Sequence, residues 1–332
     1  MKLIVTIDTE EDNWGEYSAT GHSLGNIEGL PALQSLFDEF GVKPTYLVTY
    51  PVATNEKTIE IVKRLAGPGN CEIGAHCHPW NTPPFGGDDN RYNSMLSNLS
   101  PGMQYQKIKT LRDAIAVNIG IRPRSFRAGR WGYNENVGKN LCKLGFKVDT
   151  SITPLCDWSD EHGPNFMDSS QLPFTMTFHS NNGSDAGCKS RLIEIPASIG
   201  FLQHNQAWCK FAMQAVKAGF LKRTRIAGAL NRLKLINLVW LSPEVSTGKE
   251  MIELAMTFKR IGYTFINMTF HSTSLLPGIS PFVKDRNALD NFYNNIKVFI
   301  EFARSRGVES VVLSEAAGSL EKGDSAEETG KP

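Results

Sequence analysis

Two histidines close the apolar run EIGAHCHPW, at His76 and His78. Residues two apart in an extended segment project from the same face, so both imidazoles can converge on one ion while Cys77 turns away. A carboxylate from another strand would complete a facial N,N,O set with positions open for water or substrate, the arrangement of catalytic rather than structural zinc. A solitary H-x-H is also a common loop pattern. Its place after strand-like EIGA, with Pro79 and Trp80 ending the run, favours the functional reading.

A carboxylate cluster, DTEED, follows the strand-like KLIVTI. Asp8 and Glu10 share strand parity if the extended geometry persists, so one can bind metal while the other serves as base, and Glu11 and Asp12 then face elsewhere. Asp8 lies closest to the strand end; the plainer alternative for the run is a solvated turn. In SFRAGRWGYN two arginines stand three apart beside Trp131 and Tyr133, which can stack on a sugar ring. Arg127 follows its strand more closely and suits a buried carboxylate, because the guanidinium fork matches carboxylate geometry. Arg130 reads equally well as an ordinary surface arginine. Finally, MTFHS occurs twice, at Met176–Ser180 and Met268–Ser272, each copy ending an apolar run in a histidine, His179 or His271.

These groups need a scaffold that brings strand ends together. Short runs rich in β-branched and aromatic residues (KLIVTID, PTYLVTY, CEIGAHCH, RSFRAG, GFKVDTS, RLIEIPA, YTFINMTFHS, VESVVLSE) alternate with helical segments over Gly29–Phe40, Asn55–Leu65, Pro101–Gly120, Glu135–Leu144 and Ala288–Arg306. Such alternation predicts a parallel sheet, and about seven units can close into one distorted β/α barrel over residues 1–318. In that architecture functional groups lie at the carboxyl ends of the strands, where Asp8, His76, His78, Arg127, Asp149 and His271 all fall. Residues 319–332, charged and without apolar periodicity, predict a disordered tail.

The 332 residues, 41% of them hydrophobic, suffice for a large core. The formal net charge of +1 gives no overall pull toward nucleic acid. Six cysteines without a C-x-x-C pair read as reduced thiols. Acidic residues follow the first apolar run too closely for a signal peptide, and no run has the ~18 apolar residues of a membrane span, so the expectation is a cytoplasmic protein. From Ile195 to Pro243 there is no acidic residue, while Lys210, Lys217, Lys222, Arg223, Arg225, Arg232 and Lys234 fall within it. Residues 201–243 therefore predict a basic helical excursion, either merely solvated or able to rest on an anionic membrane or meet the phosphates of a lipid-linked sugar.

In order and spacing, TIDTEED, EIGAHCHPW, FRAGRWG, GFKVDTS and TFHS resemble the polysaccharide deacetylase family, the nodulation-factor deacetylase type of β/α barrel, over about residues 1–315. The likeness is greatest to the branch found with bacterial surface and exopolysaccharide biosynthesis genes. The resemblance implies a divalent ion, zinc, held by Glu10, His76 and His78, with Asp8 as base, Arg127 positioning it, Asp149 supporting the site and His271 as general acid. It implies hydrolysis of a non-peptide carbon–nitrogen bond, with an N-acetylated sugar or lipid-linked sugar as substrate. His179 falls where no family motif is expected and reads as a surface histidine on an inserted strand.

Three positions depart from the family pattern. Thr9 stands where a second adjacent aspartate is usual, which leaves Glu10, Glu11 and Asp12 as alternatives for the ligand. The histidines are two apart instead of four, with Trp80 where the second would be, and Gly129 replaces the proline after Arg-Ala. The sequence therefore carries two readings beside the deacetylase: a hydrolase of a small non-sugar amide, and a degenerate barrel that binds a glycan or protein partner without catalysis.

Overall fold

The computed structural model describes residues 1–67, 69–86, 90–179, 189–218 and 236–320. Its central sheet begins with β1 (Lys2–Thr9), β2 (Pro44–Val48), β3 (Glu72–Cys77), β4 (Ser125–Ala128) and β5 (Val148–Asp149). It is completed by β6 (Phe174–His179), β7 (Lys189–Glu194), β10 (Phe265–His271) and β11 (Glu309–Ser310). The order is β10-β1-β2-β3-β4-β5-β7-β6, with β11 beside the start of β1. Every neighbouring pair from β10 to β7 is parallel; β6 alone runs antiparallel, against β7. This is an α/β fold in which helices cover the outer face of a largely parallel sheet, as expected where parallel strands need crossovers.

Between β7 and β10 the ring closes irregularly. Asn267 N donates to Ser198 Oγ at 2.8 Å, Leu241 N to Ser198 O at 2.8 Å and Thr269 N to Leu241 O at 3.0 Å. Single residues bridge a gap that a regular strand would fill, which is the distortion of the barrel. Beside it, β8 (Ile199–Phe201) and β9 (Leu238–Trp240) form a separate antiparallel pair.

Helices begin where the sequence offers caps. Asn55 accepts from Thr58 N ahead of Glu56–Ala66, Ser100 from Met103 N ahead of Pro101–Ala114, and Asn134 from Val137 N ahead of Glu135–Leu144. Thr247 and Glu250 make a reciprocal capping box for Gly248–Arg260. The long helix Arg286–Ser305 buries Leu289, Phe292, Ile296, Phe299 and Ile300 along one face against the core.

The reading of 201–243 as a helical excursion is corrected in part. Gln206–Ala218 is a helix, but Leu238–Trp240 is a strand whose partner β8 supplies the ladder that the helical periodicity disguised. Residues 219–235, with Lys222, Arg223, Arg225, Arg232 and Lys234, lie outside the described residues, as do tail residues 321–332. Among the described residues no helix is long and apolar enough to cross a membrane.

Candidate active site and metal centre

Register decides which side chains meet inside the barrel. Asp8 pairs with His271, Thr6 with Thr269, and His76 with Arg127, so these residues share the inner face. Below them Ile4, Val148 and Ile193 form an apolar layer. Arg127, fully buried, uses all its N–H groups in the layer between: Nη1 donates to Asp8 Oδ1 at 2.6 Å and Thr269 Oγ1 at 3.0 Å, Nη2 to Thr6 Oγ1 at 2.7 Å and Thr150 Oγ1 at 3.3 Å, and Nε to Thr150 O at 3.0 Å. Burial opposes ionisation of Asp8, but the Arg127 guanidinium, with His76 and His271 behind it, holds the carboxyl below the usual carboxylate range.

Glu10, His76 and His78 are buried together and offer ligand atoms that lie within 4.8 Å of one another. Glu10 Oε2 is 3.4 Å from His76 Nε2 and 3.3 Å from His78 Nε2, and the two Nε2 atoms are 3.0 Å apart. Both Nδ1 atoms face acceptors: Arg127 O at 3.2 Å from His76, and Glu11 Oε1 at 2.8 Å from His78. Each ring therefore places its proton on Nδ1, leaving two Nε2 lone pairs and a carboxylate oxygen aimed at one another. Three converging acceptors fit a divalent cation, and the carboxylate behind His78 is the usual outer partner of a metal-bound histidine. Without a cation an extra proton must fill the gap: desolvation works against it, but Glu11 and Glu10 push His78 up to about 10.

His271 ends β10 with its Nε2 3.7 Å from Asp8 Oδ2. Glu244 accepts from both its Nδ1, at 2.9 Å, and its backbone N, at 3.0 Å, and also from Ser274 Oγ. Burial would lower its pKa, yet Glu244, Glu10 and Asp8 together raise it to about 9, so the ring is an imidazolium at neutral pH. Trp14 meets it edge-on at 4.8 Å, and Phe282 stacks parallel at 6.0 Å. Asp8, Glu10, His76, His78 and His271 floor a cleft of about 600 Å³ walled by Tyr17, Trp80, Trp131, Trp158 and Trp240.

Of the residues singled out in the sequence, Asp8, Glu10, His76, His78, Arg127 and His271 come together. Asp149 does not join them. It pairs in register with Phe126 on β4, the residue before Arg127, and so shares the opposite face; its carboxyl bonds Ser151 Oγ at 2.7 Å and meets Glu194, its register partner on β7. Arg130 is at the rim, bonded to Glu161 at 2.9 Å with its guanidinium over Tyr17. Asp12 does face elsewhere, accepting from Gly25 N and Asn26 N.

Glu244 has no place in the sequence reading, and Glu11 has a different one. An alternative there for the metal ligand, or facing away if the strand stays extended, Glu11 turns inward because the chain leaves extended geometry after β1, and it holds His78 and Asn81. Its signal was the need of a metal histidine for a carboxylate on its second nitrogen. Glu244 is the first acid after the acid-free stretch and stands just past the apolar LINLVW, the same strand-end rule that picked out the others.

The sequence pattern of the polysaccharide deacetylase family matches residues 10–148. No curated protein matches the chain. Among solved structures, a protein assigned as a polysaccharide deacetylase from Mycobacterium smegmatis aligns with TM-score 0.56 and 16% identity over 97% of this chain and 91% of its own. A probable polysaccharide deacetylase from Pseudomonas aeruginosa PAO1 aligns with TM-score 0.53 and 12% identity, over 95% and 89%. The PuuE allantoinase aligns with TM-score 0.50 and 11% identity, over 95% and 88%. At these identities the structures share the fold. The family pattern thus covers β2, β3 and β4, the part of the chain that contains Glu10, His76 and His78.

Proposed function

We propose that this protein is a metal-dependent N-deacetylase of an N-acetylated sugar, in the branch that serves bacterial surface and exopolysaccharide synthesis. One observation carries the reading: the Glu10–His76–His78 acceptor set lies beside an ionised carboxylate, Asp8, whose Oδ2 is 3.8 Å from His76 Nε2 and 3.7 Å from Nε2 of an imidazolium, His271. Glu10, His76 and His78 would hold a divalent ion, zinc by their N,N,O donors, which would supply Lewis acidity toward the acyl oxygen and an attacking water. Asp8 takes the water's proton, and Arg127, itself held by Thr269 and Thr6, fixes its carboxylate and keeps it ionised. His271 gives its proton to the departing amine, while Glu244 on Nδ1 aims Nε2 into the cleft. Base and acid are thus opposite in charge before substrate arrives.

The tryptophan walls suit the apolar face of a pyranose ring. Free thiols at Cys71, Cys77, Cys142, Cys156 and Cys209 suit the cytoplasm. Trp208 and Phe211, 57% and 69% exposed on Gln206–Ala218, support peripheral contact of segment 201–243 with an anionic membrane, where a lipid-linked sugar would be met; absence of flotation with anionic vesicles would sink that part. The main test is acetate release from N-acetylglucosamine and its short oligomers, and ring opening of a small cyclic amide, before and after chelation and zinc return. Zinc-dependent acetate release from the sugars supports the deacetylase. Turnover of the cyclic amide alone would move the protein to small-amide hydrolysis, and no turnover of any would favour a glycan-binding barrel.

A further inference from the structure

We propose that Lys107, which touches no reacting group, is a positioning residue for the metal centre, acting through loop 79–84 and the Glu11 carboxylate. The inference rests on Glu10, His76 and His78 being metal ligands.

His76 and His78 are held differently. His76 lies within β3, and its Nδ1 bonds the carbonyl of its register partner Arg127. His78 is already beyond the strand end, where no ladder fixes it. Its ring is located by Glu11 on Nδ1 and by Trp80, stacked at 4.1 Å and 23°. Glu11 Oε1 in turn accepts from Asn81 Nδ2 at 2.8 Å. Trp80 and Asn81 both belong to the loop after β3, so the geometry of that loop sets the geometry of His78.

Lys107 holds the loop. From the helix Pro101–Ala114 its Nζ donates to Pro79 O at 2.7 Å, Thr82 O at 2.6 Å and Pro84 O at 2.9 Å. Three carbonyls of one short loop thus accept from a single ammonium. The residue is only 5% exposed, with Phe85 at 5.8 Å from Nζ. Burying an ammonium is costly unless it is fully hydrogen-bonded, and an apolar residue would anchor the helix with less penalty. What the charge adds is convergence: carbonyls at 79, 82 and 84 are drawn to one point, which curls the loop around Asn81 and Trp80. The clamp makes a two-residue histidine spacing workable, because it fixes the second histidine from outside the strand.

The test is zinc affinity of the full-length protein, by competition with a chromophoric chelator, together with melting of the metal-free protein. Lys107→Met and, separately, Asn81→Leu are each expected to weaken zinc roughly 10–100-fold, the usual cost of losing an outer partner. In the Asn81→Leu background, Lys107→Met is expected to add less than about threefold, because both changes cut the same path. A merely structural lysine would lower the melting temperature and leave zinc affinity unchanged in the folded protein. An affinity of folded Lys107→Met within about twofold of wild type, or losses that multiply in the double variant, would overturn the proposal. If Lys107→Met does not fold, unchanged affinity in Asn81→Leu overturns it alone. Wild-type protein that binds no zinc would overturn the metal reading, and this one with it; zinc-binding wild type with unchanged variants overturns only this one.

Discussion

Asp8 and His271 are register partners across β1 and β10, and the imidazole Nε2 stands 3.7 Å from the carboxylate Oδ2. Parallel pairing thus delivers a carboxylate and an imidazole, the proposed base and acid, to one mouth of the barrel on adjacent strands, with the Glu10–His76–His78 set beside them. Removing either proton carrier leaves the ligand set complete. Asp8→Asn and His271→Ala are each expected to lower kcat about 10²–10⁴-fold, the range for a lost general base or acid. Zinc content by elemental analysis is expected to stay stoichiometric in both; loss of zinc would make these residues ligands instead.

The pH profile follows from the two shifts. Asp8 is held below the ordinary carboxylate range, so it is ionised throughout the neutral region, whereas His271 stays protonated up to about 9. Turnover is expected to hold across neutrality and fall at alkaline pH, as His271 loses its proton. Glu244→Gln removes the carboxylate that raises this pKa and is expected to move the alkaline limb to lower pH. An unmoved limb in kcat against pH would separate Glu244 from acid catalysis.

Arg127 keeps Asp8 ionised in a site where burial would protonate it. Arg127→Met leaves a buried carboxylate unpaired and is expected to cost about 3–5 kcal/mol of stability, measured by urea unfolding of the metal-free protein. Arg127→Lys keeps the charge but not the fork that reaches Asp8, Thr6, Thr269 and Thr150 at once. It is expected to fold, to turn over more slowly, and to move the acid limb of the remaining activity upward as the Asp8 pKa rises. A limb that stays in place would show that Arg127 does not control Asp8.

Asp149 and Glu194 make a buried carboxyl pair that burial, and for Glu194 also the neighbouring charge, pushes above the ordinary range. The folded state therefore keeps a proton that the unfolded chain releases. Its stabilising contribution is complete below the unfolded pKa values, near about 4 in model peptides, and is lost as pH rises through the raised folded values. Glu194→Gln retains an acceptor for Ile152 N and a donor for Asp149. The variant's melting temperature is expected to decline less than wild type's between weakly acidic and alkaline pH, and parallel curves would contradict the shared proton.

Much of this site was legible because it obeys strand parity and strand ends. His76 and His78 were paired by their spacing, and Asp8, Arg127 and His271 by their places after apolar runs. The two MTFHS copies divide on topology: His271 ends a parallel strand at the active mouth, whereas His179 ends β6, whose antiparallel course carries it to the other end of the sheet. Five residues of local sequence could not carry that direction. Asp149 read as a site residue because it also ends a strand, yet its parity matches Phe126 and not Arg127. Glu11 was hidden by a turn out of extended geometry, and Glu244 by a helical periodicity that ran on through β9.

The account stands or falls on the ligand set. A crystal grown with zinc, with anomalous data at the metal edge, is predicted to show one ion bonded to a Glu10 carboxylate oxygen and to Nε2 of both His76 and His78, each at about 2.0–2.2 Å. Glu11 would remain on His78 Nδ1, outside the coordination sphere. An ion bound elsewhere, or no ion between Glu10, His76 and His78 at saturating zinc, would contradict it.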